Sequence, residues 1–294
     1  MKIINKINNF INQNKLFTII IIILVVIYFF LYVYMRTKEY RVIVFDLDET
    51  LGNFVELGVF CDLIEKYNKR KINFDEFYRI MDLYPEFLRP KILNILAFLK
   101  EKKEKGHINK IYIYTNNQGP KEWTEKIRYF LEKKLNYKLF DKVIGAYKVN
   151  GKIIESTRTT HDKTIADLFR STNIPKNSKI CFIDDLYHPL MDNNNVYYIN
   201  IHPYIVYIPF SIMAERYYKQ NMITIHNKYE FVNYINTNMN KYNLDKISKT
   251  YIAKKEDIVI GKELLYDLQN FLKIKNKLKT KKNRSKHKNS SRKK

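Results

Sequence analysis

Among its 294 residues the chain has only two cysteines, seven glycines, seven prolines and one tryptophan. Two unclustered cysteines, Cys61 and Cys181, make neither a disulfide framework nor a zinc site, and a reducing compartment is the simpler reading. Cys181 lies in an apolar run that reads as a buried strand, and both thiols read as ordinary core residues. No second His or Cys stands at metal spacing from His188 or His202, so neither reads as a zinc ligand. The scarcity of Gly and Pro goes with abundant Lys, Asn, Ile and Tyr, the bias of an AT-rich genome, and says little about function. There is no internal repeat. Acidic residues are absent from 273–294, which holds twelve Lys or Arg. Of the net charge of +23, only +6 falls on residues 42–272. The central domain is therefore mildly basic, and the excess sits at the termini.

Charge is missing altogether from Leu16 to Met35. Twenty helical residues span about 30 Å, the hydrocarbon thickness of a bilayer. Tyr28, Tyr32 and Tyr34 gather near one end, as in an interfacial aromatic belt. The run is too long for a signal peptide, and no small-x-small cleavage site follows it. A transmembrane helix over 16–35 is expected, preceded by a short basic segment at 1–15. Lys2, Lys6 and Lys15 on one side balance Arg36, Lys38 and Arg41 on the other, so flanking charge gives no orientation.

After this run the chain alternates strand-like and helix-like segments. Arg41–Asp46, Lys110–Thr115, Lys179–Asp184 and Val196–Asn200 read as strands. Arg89–Lys105, Glu122–Lys134 and Asp162–Arg170 read as helices, the first stopped by Gly106. Alternation of this kind predicts an α/β fold with a mainly parallel sheet sandwiched by helices over 41–210. Ligands bind beyond the carboxyl ends of such strands. Residues 211–272 contain helix-like stretches, including Lys228–Ile235 and Lys262–Leu272, and read as a helical extension. Residues 273–294 read as a disordered basic tail.

Chemistry-bearing residues fall at those strand ends. Asp46 and Asp48 follow the apolar run VIVF. Two carboxylates there can divide labour, one attacking phosphorus and the other shuttling a proton. Thr115 ends the second strand and is followed by Asn116-Asn117-Gln118-Gly119, suited to hold phosphoryl oxygens. Lys163 reads as opening a helix, where its ammonium can neutralise both a phosphate and a carboxylate. Arg158 and His161 precede it and read either as reaching a substrate phosphate or as capping and surface residues. The strand KICFI ends in Asp184-Asp185, and adjacent acids at a buried strand end ask for a cation. Hard oxygen ligands favour Mg²⁺. Trp123 and the Tyr-rich stretches read as core packing rather than a base-stacking platform.

The order Asp-x-Asp-x-Thr, Thr, Lys, Asp-Asp resembles the four motifs of the haloacid dehalogenase (HAD) superfamily. FDLDETL (Phe45–Leu51), Arg89-Pro90 ahead of a helix, and an anchor before the domain look like the small CTD phosphatases, NLI-interacting factors and Dullard-type membrane phosphatases. PKEW (Pro120–Trp123) and RTTHDK (Arg158–Lys163) are similar to uncharacterised HAD-like proteins of large DNA viruses. The resemblance covers about residues 41–209. It implies a Rossmann-like HAD fold and an Mg²⁺-dependent phosphatase. Asp46 would be the nucleophile, Asp48 the general acid/base, Thr115 and Lys163 the stabilisers of the phosphoryl group. Thr50, Asn116 and Arg158 would bind substrate. Asp46, Asp48 (through its carbonyl), Asp184 and Asp185 would hold the metal.

Three features depart from the CTD branch. Lys163 stands one helical turn earlier than is usual there. Asp184-Asp185 stands where Asp-Asn is usual. Thr115-Asn116-Asn117-Gln118-Gly119 stands where Thr-Ala-Ser is usual, and is partly similar to the loop of histidinol-phosphate and polynucleotide phosphatases. The 69 residues between Asp46 and Thr115 allow a short flap and a few helices but no large cap. A small or absent cap leaves the site open to a macromolecule, so a phosphoprotein is the first expected substrate and a nucleic-acid 3′-phosphate the alternative. A non-catalytic membrane adaptor is the rival class, opposed by the intact set of motif residues. The catalytic domain is expected in the cytosol, with the basic tail on anionic lipid or nucleic acid.

Overall fold

A computed structural model describes residues 15–37, 39–220, 227–244 and 246–273. The chain divides into two compact units, residues 1–40 and 41–294. In the first, helix α1 spans Lys15–Thr37. Every side chain from Ile19 to Phe30 on it is apolar and exposed. Among the described residues no helix is long and apolar enough to cross a membrane. The anchor expected over 16–35 runs past the described side chains, which exclude 16, 18 and 31–37. The basic segments expected at 1–15 and 273–294 lie outside the described residues apart from Lys15 and Lys273.

The second unit is built on five parallel strands: β1 (Arg41–Phe45), β2 (Lys110–Tyr114), β3 (Lys142–Ile144), β6 (Lys179–Asp184) and β7 (Val196–Asn200). Their order across the sheet is β3-β2-β1-β6-β7. β1, β2 and β6 are short β-branched and aromatic runs buried on both faces, as a parallel sheet covered by helices requires. A two-stranded hairpin, β4 (Lys148–Val149) and β5 (Lys152–Ile153), stands apart from this sheet. The chain steps from β1 to β2 and β3 on one side, then returns to β6 and β7 on the other. The reversal places a crevice at the carboxyl ends of β1 and β6.

Between β1 and β2 lie α2 (Val55–Asn68), α3 (Phe74–Leu83) and α4 (Ile92–Glu104). α3 begins with a capping box, Asn73 accepting from the Glu76 N–H while the Glu76 side chain accepts from the Asn73 N–H. α5 (Lys121–Leu135) follows β2, and α6 (Ile165–Thr172) precedes β6. Lys163 does not open α6 as expected. Thr164 is the N-cap, its hydroxyl accepting from the Asp167 N–H at 2.9 Å, which leaves Lys163 in the loop before it.

The boundary expected near 210 is not a break in packing. α7 (Phe210–Lys219), α8 (Lys228–Met239) and α9 (Tyr251–Lys273) are helical as expected. They contribute Met213, Tyr217, Phe231, Ile235, Leu264 and Leu268 to the same hydrophobic core as β1 and α2. Burying such side chains is worth about 1.5–3 kcal/mol each, so α7, α8 and α9 are part of the unit's stability.

Candidate functional site

Asp46 is the residue at which β1 ends, and its N–H still donates to the Ile183 carbonyl of β6 at 2.9 Å. Asp184 is the last residue of β6. Parallel pairing of Phe45 with Ile183 therefore brings the two carboxylates side by side. Both are buried. Lys163 reaches between them, bonding Asp46 Oδ1 and, at 2.6 Å, Asp184 Oδ2. Its own side chain is 2% exposed. One carboxylate oxygen each from Asp46, Asp184 and Asp185 lie within 4.8 Å of one another, a group that could hold a metal ion.

The electrostatics fit a cation. Burial, with Asp184 close by, pushes the Asp46 carboxyl up to about 8 against the pull of Lys163. Asp185 is also raised, chiefly by burial. Asp184 is buried too, yet His188 and Lys163 hold it below the usual carboxylate range. His188 Nε2 stands 3.4 Å from Asp184 Oδ2 and makes no hydrogen bond. Burial works against the Lys163 ammonium, but Asp46 and Asp184 more than offset it and raise its pKa. One ammonium is thus shared by a buried set of hard oxygen donors, the arrangement that suits a divalent cation.

The loop after Asp46 is a tight turn. Glu49 takes a left-handed conformation (φ 59°), and its N–H donates to the Gly52 carbonyl at 2.7 Å. Gly52 is required, because a β-carbon there would collide with the Phe87 carbonyl oxygen. Asp48 borders the cavity. Its Oδ2 accepts from Asn117 Nδ2 at 2.7 Å, while its Oδ1 is buried with no hydrogen-bond partner. Burial raises its pKa despite that amide. The Asp48 side chain is not one of the three clustered carboxylates. Thr115 is buried and lines the cavity. Its hydroxyl accepts from the Asn117 N–H at 3.0 Å, leaving its proton to donate.

Of the three residues expected to bind substrate, only Asn116 lines the cavity. Thr50 is fully buried, donating to Asp185 Oδ1 at 2.9 Å and accepting from the Asp185 N–H at 3.1 Å. It positions one of the three clustered carboxylates. Arg158 is also placed otherwise than expected. Its guanidinium donates to the carbonyls of Thr115, Gly145, His161 and Asp162 at 2.9–3.3 Å and does not border the cavity.

Two functional residues escape the sequence reading. Asn117 holds Asp48 and shapes the turn after Thr115; its Oδ1 accepts from the Gly119 N–H at 2.8 Å. The signal for it was the Asx-turn spacing Asn117–Gly119. Arg89, noted only as part of a dipeptide, donates to the Thr50 carbonyl at 2.6 Å, to that of Glu49, and to that of His202 at 2.8 Å.

Asp46, Asp48, Thr115, Lys163, Asp184 and Asp185 line one cavity of about 650 Å³, while Thr50, Arg89 and Arg158 lie behind its wall. No family model, curated protein or solved structure matches the chain.

Proposed function

We propose that the chain is an Mg²⁺-dependent phosphomonoester hydrolase of the haloacid dehalogenase kind, acting through an aspartyl-phosphate on Asp46. The observation that carries this reading is the meeting of buried Asp46, Lys163 and Asp184 at adjacent strand ends, with Asp48 beside them holding an unpartnered oxygen. An Asp46 oxygen attacks phosphorus, the bond to the leaving-group oxygen breaks, and that oxygen takes a proton from Asp48. Water then gives a proton to Asp48 and attacks the phosphorus, releasing inorganic phosphate and restoring the Asp46 carboxylate. Lys163 offsets the repulsion between carboxylate and phosphoryl oxygens, and the Thr115 hydroxyl donates to one of those oxygens. Asp46, Asp184 and Asp185 would hold Mg²⁺, which would supply the positive charge that favours the ionised Asp46 and offsets that of the phosphoryl oxygens.

Release of phosphate from an aryl phosphate tests the reading. Asp46→Asn should abolish it. EDTA should stop the wild type, Mg²⁺ should restore it and Ca²⁺ should not, because longer, looser calcium coordination misplaces the phosphoryl group. An active Asp46→Asn variant, or full activity in EDTA, rejects the mechanism.

The α1 helix is proposed as a single membrane anchor that leaves the catalytic unit on the cytosolic side. The uncharged run 16–35 and the exposed apolar side chains of Ile19 to Phe30 support it. The twelve cationic residues of 273–294 suit an anionic lipid surface. Carbonate-washed membranes should retain the full chain and release a chain starting at Lys38; loss of both to the wash rejects the anchor.

A further inference from the structure

The cavity continues beyond the aspartates. Its wall includes Phe54 and Val55 at the start of α2, Ile72 and Phe77 at α3, and Trp123 in the first turn of α5. The Trp123 ring meets Phe77 edge to face, with centroids 5.2 Å apart. On its other side it rests on α2 at Gly58, where a β-carbon would stand 3.3 Å from the indole. The missing side chain lets the ring lie against the helix. Trp123 is only partly buried. It therefore serves as cavity wall as well as packing.

Volume and charge narrow what this annex accepts. A cavity of about 650 Å³ is of small-ligand size, and a phosphoryl group fills only part of it. Aromatic walls favour a flat ring, each edge or offset contact adding about two- to tenfold in affinity. Eight of the lining residues are Asp or Glu and three are Lys. Each lysine is already paired: Lys71 with Glu65 at 2.6 Å, Lys126 with Glu122 at 3.0 Å, and Lys163 with Asp184 at 2.6 Å. The wall is thus acidic on balance, which opposes the second phosphate that a nucleic-acid strand would bring. The chain's +23 charge lies elsewhere.

We propose that the annex formed by Phe54, Val55, Gly58, Phe77 and Trp123 takes the leaving group of a small phosphomonoester, a flat neutral or cationic ring, and excludes oligonucleotides. This substrate class rests on the phosphatase reading. It replaces the macromolecular substrate expected from a small cap.

Trp123 is the only tryptophan in the chain, so its emission reports on the annex directly. The full chain in detergent with Mg²⁺ is titrated with phenylphosphonate and with methylphosphonate, neither of which can be hydrolysed. Phenylphosphonate should change the emission saturably, with a Kd at least tenfold below that of methylphosphonate. In turnover, phenyl phosphate should exceed both glycerol phosphate and a 3′-phosphorylated oligonucleotide at least tenfold in kcat/KM. Gly58→Leu, which forces the indole off α2, should lower kcat/KM for phenyl phosphate about tenfold more than for glycerol phosphate. Equal affinity for the two phosphonates, no change in emission, or preference for the oligonucleotide overturns the annex. A saturable phenylphosphonate signal without turnover of any ester upholds the annex and strikes the phosphatase reading alone.

Discussion

Arg89 and Arg158 sit on opposite sides of the candidate site and do the same physical work at different range. Each is buried, each donates only to backbone carbonyls among its hydrogen bonds, and each lies over a tyrosine ring, Arg89 over Tyr204 at 5.5 Å and Arg158 over Tyr114 at 4.9 Å. Carbonyl partners hold each guanidinium without adding a negative charge beside the aspartates, although Arg89 Nη1 and Arg158 Nε stay buried without a hydrogen-bond partner. The two differ in what they tie together. Arg89 joins the Glu49 and Thr50 carbonyls to that of His202, segments 39, 40 and 113 residues away. It fixes the loop that carries Asp48 and Thr50, the carboxylate half of the site. Two of the four Arg158 acceptors, His161 and Asp162, are only three and four residues on. Arg158 fixes the approach to Lys163, the cationic half. One half is held by long-range closure and the other largely by a local turn.

Removing the cation itself is the harshest test of this division. Lys163→Met would leave Asp46 and Asp184 buried together without their shared ammonium. Loss of one partner from a buried ion pair costs about 3–5 kcal/mol, a large share of a typical total stability of about 5–15 kcal/mol. The expected outcome is loss of phosphatase activity and a large fall in Tm without metal, with Mg²⁺ recovering part of the Tm but not the activity. A metal-free Tm equal to wild type would show that the two carboxylates are not held as charged groups.

Arg89→Lys and Arg158→Lys compare the halves directly. Lysine keeps the charge but cannot serve three or four fixed carbonyls, and each carbonyl left buried and unpaired costs about 1–3 kcal/mol. Arg89→Lys should be the more damaging to kcat, because it frees the loop bearing Asp48. A loss of about 10²-fold is expected, within the range for general acid/base catalysis. Arg158→Lys should lower kcat by about tenfold, since the Thr164 cap and the bonds of Thr159 to Asp167 still hold the turn before Lys163. The two rates, measured on the same aryl phosphate with Tm recorded for each, decide the order. Equal losses would mean that both loops are held as one body.

The same difference in range explains what could be read in the sequence. Asp46, Thr115 and Asp184 lie at the ends of β-branched runs, and alternating strands and helices imply a parallel sheet, so those positions were legible. The paired register that brings Asp46 to Asp184 agrees with that expectation. Arg158 was visible because it precedes Lys163 by five residues, but its acceptors were not, and a substrate role was assigned to a side chain that is buried on carbonyls. Arg89 was nearly invisible, since nothing in local sequence shows that it meets His202. α2 was expected only as one of a few helices between Asp46 and Thr115: Leu57, Phe60, Cys61 and Ile64 form a helical stripe, but Glu56 and Leu63 are buried beside it, so the amphipathic period is weak. For α3 the Asn73–Glu76 capping box was a usable signal.

The smallest effect comes from a buried carboxylate that has no guanidinium to serve it. Glu56, on α2 beyond the loop held by Arg89, is 3% exposed, and its Oε1 has no hydrogen-bond partner. Burial raises its carboxyl from 4.5 to about 7, and the Ile208 N–H opposes this only in part. The folded state therefore holds a proton that the unfolded chain releases near 4.5. Stability from this group is full below about pH 4.5 and is lost as pH rises through about 7. A full shift of this size is worth at most about 3 kcal/mol at about 1.4 kcal/mol per pKa unit, and solvent near the loop reduces it. Glu56→Gln removes the charge and keeps the shape. It should raise Tm by a few degrees at pH 8, at about 2–4 °C per kcal/mol for a unit of this size, and leave Tm unchanged at pH 5. Thermal unfolding of both chains across pH 5–8 reads the difference. A gap that does not widen with pH would mean that Glu56 is already solvated, and that the loop between Asp46 and α2 is looser than the Arg89 clamp implies.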